Sequence, residues 1–157
     1  MCSITFSHYE RRTVLIKNKL ALVTTSAPND VPKGLIASDC CAGTPESIDT
    51  ILSGRLSNIW TQRQSIKGEA GETFETTKLL VRAINLFSYT GFKGLVIELH
   101  SAEDASEEDF KKDVDATRNI LEELGLTDIK VSSEQLNPLR SDFISDLAYQ
   151  YVRVLEF

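Results

Sequence analysis

Trp60-Thr61-Gln62-Arg63-Gln64-Ser65-Ile66-Lys67-Gly68, then Leu79–Phe87, then Gly91-Phe92-Lys93-Gly94-Leu95-Val96-Ile97-Glu98-Leu99-His100, is where the sequence commits itself. It reads as three consecutive strands joined by glycine-containing turns. Trp60–Lys67 alternates imperfectly, with Trp60, Gln62, Gln64 and Ile66 on one side and Thr61, Arg63, Ser65 and Lys67 on the other. That segment is too polar to be buried on both faces. Gly68–Glu72 reads as a turn and Thr73–Phe87 as one long or bulged strand. Tyr89-Thr90-Gly91 closes a tight hairpin into Phe92–His100, whose Leu95, Ile97 and Leu99 share a face. One apolar and one mixed face per strand is the pattern of an antiparallel sheet.

Upstream, Ser3–Ser7, Thr13–Lys17 and Leu20–Thr25 are rich in β-branched and aliphatic residues and read as strands. Asn18-Lys19 reads as a two-residue turn, because Asn tolerates positive φ, the alternative being a single bent strand. Ser26–Pro32 is a loop, and Lys33–Ala37 reads as a short strand. Thr44 suits an N-cap and Pro45 the first helical position, so a helix is expected over Pro45–Gly54, with Ile48, Ile51 and Leu52 on one face.

Downstream, Ser106-x-x-Asp109 has the capping-box spacing, and Glu107, Glu108 and Asp109 complement the helix dipole. Phe110, Val114, Thr117, Leu121 and Leu124 form one stripe, ended by Gly125. Leu126–Val131 reads as a strand and Asn137-Pro138 as a cap followed by the first residue of a last helix. That helix carries Phe143, Leu147, Tyr151 and Val154 on one face, with Ile144, Ala148 and Leu155 beside them. Runs of strands followed by runs of helices define an α+β class: an antiparallel meander with flanking helices, two of them at the C-terminal end.

The chain has 157 residues, 41% of them hydrophobic and 25% charged, and a net charge of −6. One domain over 1–157 is expected from this length. No apolar run reaches the ~20 residues that span a bilayer, and the N-terminus lacks the basic-then-apolar pattern of a secretory leader. An acidic chain is a poor partner for phosphate backbones, so neither nucleic acid nor membrane is expected. Cys2, Cys40 and Cys41 read as free thiols, and adjacent Cys40-Cys41 lacks the spacing that lets two thiolates share a zinc.

Residues that do chemistry are sparse. There are two histidines, His8 and His100. His100 stands near Glu103 and Asp104, but a nucleophilic arrangement needs a histidine that reaches both partners. Gly91-x-x-Gly94 has the spacing of a KH-domain clamp, but at a hairpin instead of between helices. No catalytic, cofactor-binding or metal-ligating set is predicted. Arg63, Lys67, Arg82 and Lys93 fall on neighbouring strands, as a solvated face or a docking face for an acidic partner. A second reading is a small-molecule-binding α+β barrel, a binding protein or isomerase-type enzyme, lined by Gln62, Gln64, Arg82 and His100.

Leu52–Leu56, Trp60-x-x-Arg63-Gln64-x-Ile66-x-Gly68, Leu80-Val81-Arg82 and Phe92–Glu98 together resemble the Mediator complex subunit 20 family, the TATA-binding-protein-related factors. The order of elements is similar over most of the chain. Family members begin with a further strand and helix before this strand pair, so the resemblance implies either a member short at the N-terminus or a sheet left with an open edge. It also implies a barrel-like, non-enzymatic subunit of the Mediator head module, in the nucleus. Such a subunit pairs with subunit 18, is tethered by the C-terminal segment of subunit 8 and supports regulation of RNA polymerase II transcription. It needs no cofactor and no small molecule. Aromatic anchors are the expected interface residues: Trp60, Phe87, Tyr89 and Phe92 on the meander, and Tyr149, Tyr151 and Phe157 at the end.

Overall fold

The computed structural model describes residues 1–10, 12–24, 48–101 and 106–155. They divide into two compact units, Met1–Thr61 with Lys130–Phe157, and Gln62–Ile129. Two three-stranded antiparallel sheets and flanking helices make the α+β fold that the sequence predicts.

The first unit holds β1 (Cys2–Phe6), β2 (Arg12–Lys17) and β3 (Leu20–Thr24), hydrogen-bonded in that order. Lys17 pairs with Leu20, and Asn18 takes φ 58° in the turn between them, as its tolerance of the left-handed region predicts. α1 (Ile48–Thr50) runs on as a π-helical turn over Ile51–Arg55. The expected strand Lys33–Ala37 and the cap Thr44-Pro45 lie outside the described residues. Helix α3 (Phe143–Leu155) closes the unit, packing on β2 and β3. Phe6, Val14 and Ile16 of the sheet meet Ile144, Leu147 and Ala148 of the helix in one apolar core, with Val14 and Ala148 fully buried at 0% exposure.

The start of α3 differs from expectation. Asn137-Pro138 makes a turn, in which the Asn137 side chain accepts the N–H of Leu139 at 3.0 Å. The working cap is Asp142, whose Oδ2 accepts the N–H of Ser145 at 3.0 Å and whose carbonyl accepts that of Asp146 at 2.9 Å. Asn137 thus satisfies a local Asx turn before a helix can use it. Asp146, in the first turn, reaches back to the N–H of Leu136 at 2.8 Å and fastens the incoming chain.

The second unit holds β4 (Lys67–Glu75), β5 (Leu79–Ser88), β6 (Gly91–Ser101) and helix α2 (Glu107–Glu123). Its first hairpin lies elsewhere than the glycines suggest. Trp60–Ile66 carries no strand, and Gly68–Glu72 lies inside β4, not in a turn. The reversal falls at Thr76, whose hydroxyl oxygen accepts the N–H of Leu79 at 2.9 Å and of Lys78 at 3.3 Å. The glycines serve close approach instead. A Cβ on Gly68 would stand 2.7 Å from the Ile84 side chain, and one on Gly71 would stand 3.0 Å from the Ala83 carbonyl oxygen. The register shifts between Glu69 and Glu72, and Ala70 takes φ 48° there, so the strand bulges.

α2 starts as predicted, the Ser106 hydroxyl accepting the N–H of Asp109 at 3.2 Å. It ends on Gly125, at φ 87°, with bonds from Gly125 N–H to Glu122 and from Leu126 N–H to Leu121, the paired closure of a Schellman motif. No residue of α2 is buried. Leu126–Val131, expected as a strand, is irregular. Its apolar residues have no ladder partner among the described residues.

Candidate docking surface

The tip of the β5–β6 hairpin brings together the densest set of predicted residues. Ser88 pairs with Gly91, leaving Tyr89-Thr90 as a two-residue loop. Gly91 sits at φ 105°, where a side chain would be strained. The Ser88 hydroxyl oxygen accepts the Thr90 N–H at 3.2 Å and lies 2.8 Å from the Thr90 hydroxyl, one of the two donating to the other. With the loop fixed by its own hydroxyls, Tyr89 is left 92% exposed.

One step in, Phe87 pairs with Phe92 while Leu86 pairs with Gly94. Lys93 is therefore the extra residue of a bulge, and a bulge re-aims its side chain. Phe87 and Phe92 stack edge to face with centroids 5.7 Å apart, and Phe92 is 60% exposed. Arg63 and Gln64, from the chain entering β4, join Ser88, Tyr89, Thr90 and Lys93 around a cavity of about 210 Å³. No carboxylate lines it.

The other predicted residues are placed apart from this cluster. Tyr149 and Tyr151 pack against the core of the first unit, Tyr151 edge to face on Phe6 at 5.5 Å. Trp60 belongs to the first unit and is partly exposed. Phe157 lies outside the described residues, as do Cys40, Cys41, Glu103 and Asp104. The four-residue basic face divides. Arg63 and Lys93 share the cavity and Lys67 opens β4, but Arg82 is engaged elsewhere.

Arg82 Nη1 lies 2.6 Å from Glu98 Oε1, and His100 Nε2 lies 2.5 Å from the same oxygen. Glu98 is 5% exposed. A buried carboxylate is tolerable only when paired and hydrogen-bonded, and the cross-strand register Arg82–Glu98 supplies the pairing. Glu98 is the described acid beside His100. The set proposed to line a barrel is split as well: Gln64 faces the hairpin cavity, whereas Arg82 and His100 converge on Glu98.

Sequence reasoning missed two features with visible signals. Ser88 just before the two-residue loop and Thr90 within it carry the hydroxyls that fix it. Glu98 is a lone acid inside the apolar run Leu95–Leu99, which calls for a cation on the neighbouring strand. Among the described residues no group of three His, Cys, Asp or Glu is placed to hold a metal ion, and no helix is long and apolar enough to cross a membrane. Burial pushes the Cys2 thiol up from its ordinary pKa, which lowers its thiolate fraction and its reactivity.

An α+β chain with two small antiparallel sheets and aromatics displayed on a cationic hairpin tip is the class these observations define. A family model for the TATA-binding related factor (TRF) of subunit 20 of Mediator complex matches residues 1–156. The Mediator of RNA polymerase II transcription subunit 20 of Saccharomyces cerevisiae is 54% identical over 156 residues, covering 99% of this chain and 73% of that protein. The proteins of the same name from Kluyveromyces lactis and Eremothecium gossypii are 45% and 43% identical, each with 98% or more of this chain covered and 73% and 72% of their own length. The chain belongs to the Mediator subunit 20 family.

Proposed function

We propose that this chain is a non-enzymatic structural subunit of the Mediator head module that acts in RNA polymerase II transcription in the nucleus. Residues 1–157 serve as one subunit 20 domain, pairing with subunit 18 and tethered by the C-terminal segment of subunit 8. The family match over residues 1–156 carries this reading, together with relatives that are named subunits of that complex. The hairpin supports it physically. Stable interfaces are anchored by aromatic side chains set in a polar rim, and Tyr89, Phe92 and half-buried Phe87 stand among Arg63, Lys93 and hydroxyls. Trp60, Tyr149, Tyr151 and Phe157 complete the proposed set of anchors.

Co-expression tests it. The chain is expected to co-purify with subunits 18 and 8 in one stoichiometric complex, and a tagged chain to concentrate in the nucleus. Tyr89→Ala with Phe92→Ala should weaken the complex by about tenfold or more, the range of a hot-spot truncation. A well-behaved monomer that captures neither subunit overturns the reading.

A further inference from the structure

The hairpin cavity has a composition that points to a particular occupant. Two cations, Arg63 and Lys93, line it with Gln64, Ser88, Tyr89 and Thr90. Arg63 and Lys93 form no ion pair among the described residues, and no Asp or Glu stands on the lining. This is a local reversal in a chain of net charge −6. The donor count is high. A guanidinium offers five N–H groups in a planar fork and an ammonium three, and of the Ser88–Thr90 hydroxyl pair one hydrogen is left over to donate outward.

We infer that this cavity binds a phosphorylated serine or threonine on an extended segment of a partner protein. Charge selects the phosphoryl group over a carboxylate. A phosphate monoester carries about −1.5 to −2 at neutral pH and three acceptor oxygens, which matches two cations. A single Asp or Glu side chain would leave one cation unmatched. Bidentate guanidinium contact supplies geometric selectivity. Tyr89 of the lining and Phe92, next to Lys93 in the chain, are both exposed, so apolar residues beside the phosphorylated one have somewhere to lie. The inference rests on the hairpin as a docking surface and not on which Mediator subunits the chain joins, so failure of the co-purification above leaves it standing.

The test uses the 157-residue chain and N-acetyl-phosphoserine N-methylamide as the probe, followed by amide chemical shifts. Shifts confined to residues 63–64 and 88–93, weakened by salt, are the expected result. Arg63→Gln and Lys93→Gln should each weaken binding about tenfold, the loss of one charge-assisted contact. Unchanged thermal melting of both variants separates this from unfolding. A phosphopeptide with flanking leucines should bind tighter than the bare probe, and Tyr89→Ala should remove that gain. Equal binding of the glutamate analogue or of the unphosphorylated serine probe overturns the inference. So do shifts centred elsewhere, or variants that bind as well as the parent chain.

Discussion

The two sheets of this molecule have the same number of strands and the same antiparallel pairing, yet they are stabilised by opposite means. In the first, β2 is driven against α3, and six apolar residues disappear from solvent together. In the second, Leu86 is the one described apolar residue that counts as buried, and a carboxylate, Glu98, is buried more deeply still. β4 is exposed along its whole length and α2 buries nothing. The first unit thus depends on removing apolar area, about 25 cal/mol per Å². The second depends on ladder hydrogen bonds and one ion cluster, and leaves Phe74, Tyr89, Phe92 and Leu95 exposed. A surface of that kind is suited to being covered by another chain.

Truncating an aromatic ring in each sheet is the severest way to break this comparison. Phe6→Ala should cost about 3–5 kcal/mol, the range for emptying a packed aromatic site, since Phe6 is buried among Tyr9 and Tyr151. Phe92→Ala should cost about 1 kcal/mol or less, its loss limited to the edge contact with Phe87. Urea denaturation of the isolated chain reads both. Equal losses would mean that the hairpin aromatics are core, and the contrast would collapse.

The ion cluster gives the next effect. Glu98→Leu removes the carboxylate that the partly buried Arg82 guanidinium pairs with and should cost about 2–3 kcal/mol, below the full penalty because Arg82 keeps some contact with water. Adding Arg82→Met should restore part of that loss, with a coupling of about 1 kcal/mol or more in a double-mutant cycle. Strict additivity would show that the two charges do not depend on each other, and the second sheet would then need another source of stability.

What the sequence disclosed follows the same division. Where apolar residues recur with a clean period and meet a partner, as in Val14 and Ile16 or Ile144 and Leu147, the elements were legible, although α3 starts at Phe143 and not at the expected Pro138. The same is true of turns whose chemistry is local: Asn18 at positive φ, Tyr89-Thr90-Gly91, and Ser106 at its cap. The β4 hairpin was not legible. Lys67–Glu75 buries neither face, so it has no alternation to read, and its glycines answer to Ile84 and Ala83 on the next strand. Tertiary contact overrode a local turn signal. Of the candidate site, the exposed aromatics and two of the cations could be named in advance. That they share one cavity depends on the Lys93 bulge, which only the paired register reveals.

The smallest effect distinguishes the two units through their helix caps. Asp142 and Ser106 do the same job at the starts of α3 and α2. Hydrogen bonds from the Ser145 hydroxyl and backbone N–H, helped by nearby Arg12 and Arg140, hold the Asp142 carboxyl below its ordinary value of 3.8. A depressed folded-state pKa contributes stability that is present above the unfolded value and lost as pH falls through the folded one. Asp142→Ala should cost about 1 kcal/mol at neutral pH, and the gap between variant and parent should close below pH 3.8. Because α3 is locked to β2 and β3, that loss should appear as a lower midpoint for the whole first unit. Ser106→Ala should instead fray only the first turn of α2, seen as faster amide exchange at residues 107–110 with the unfolding midpoint unchanged. If Ser106→Ala also moved a global midpoint, α2 would be coupled to a core after all, and the second unit would be built more like the first than its exposure indicates.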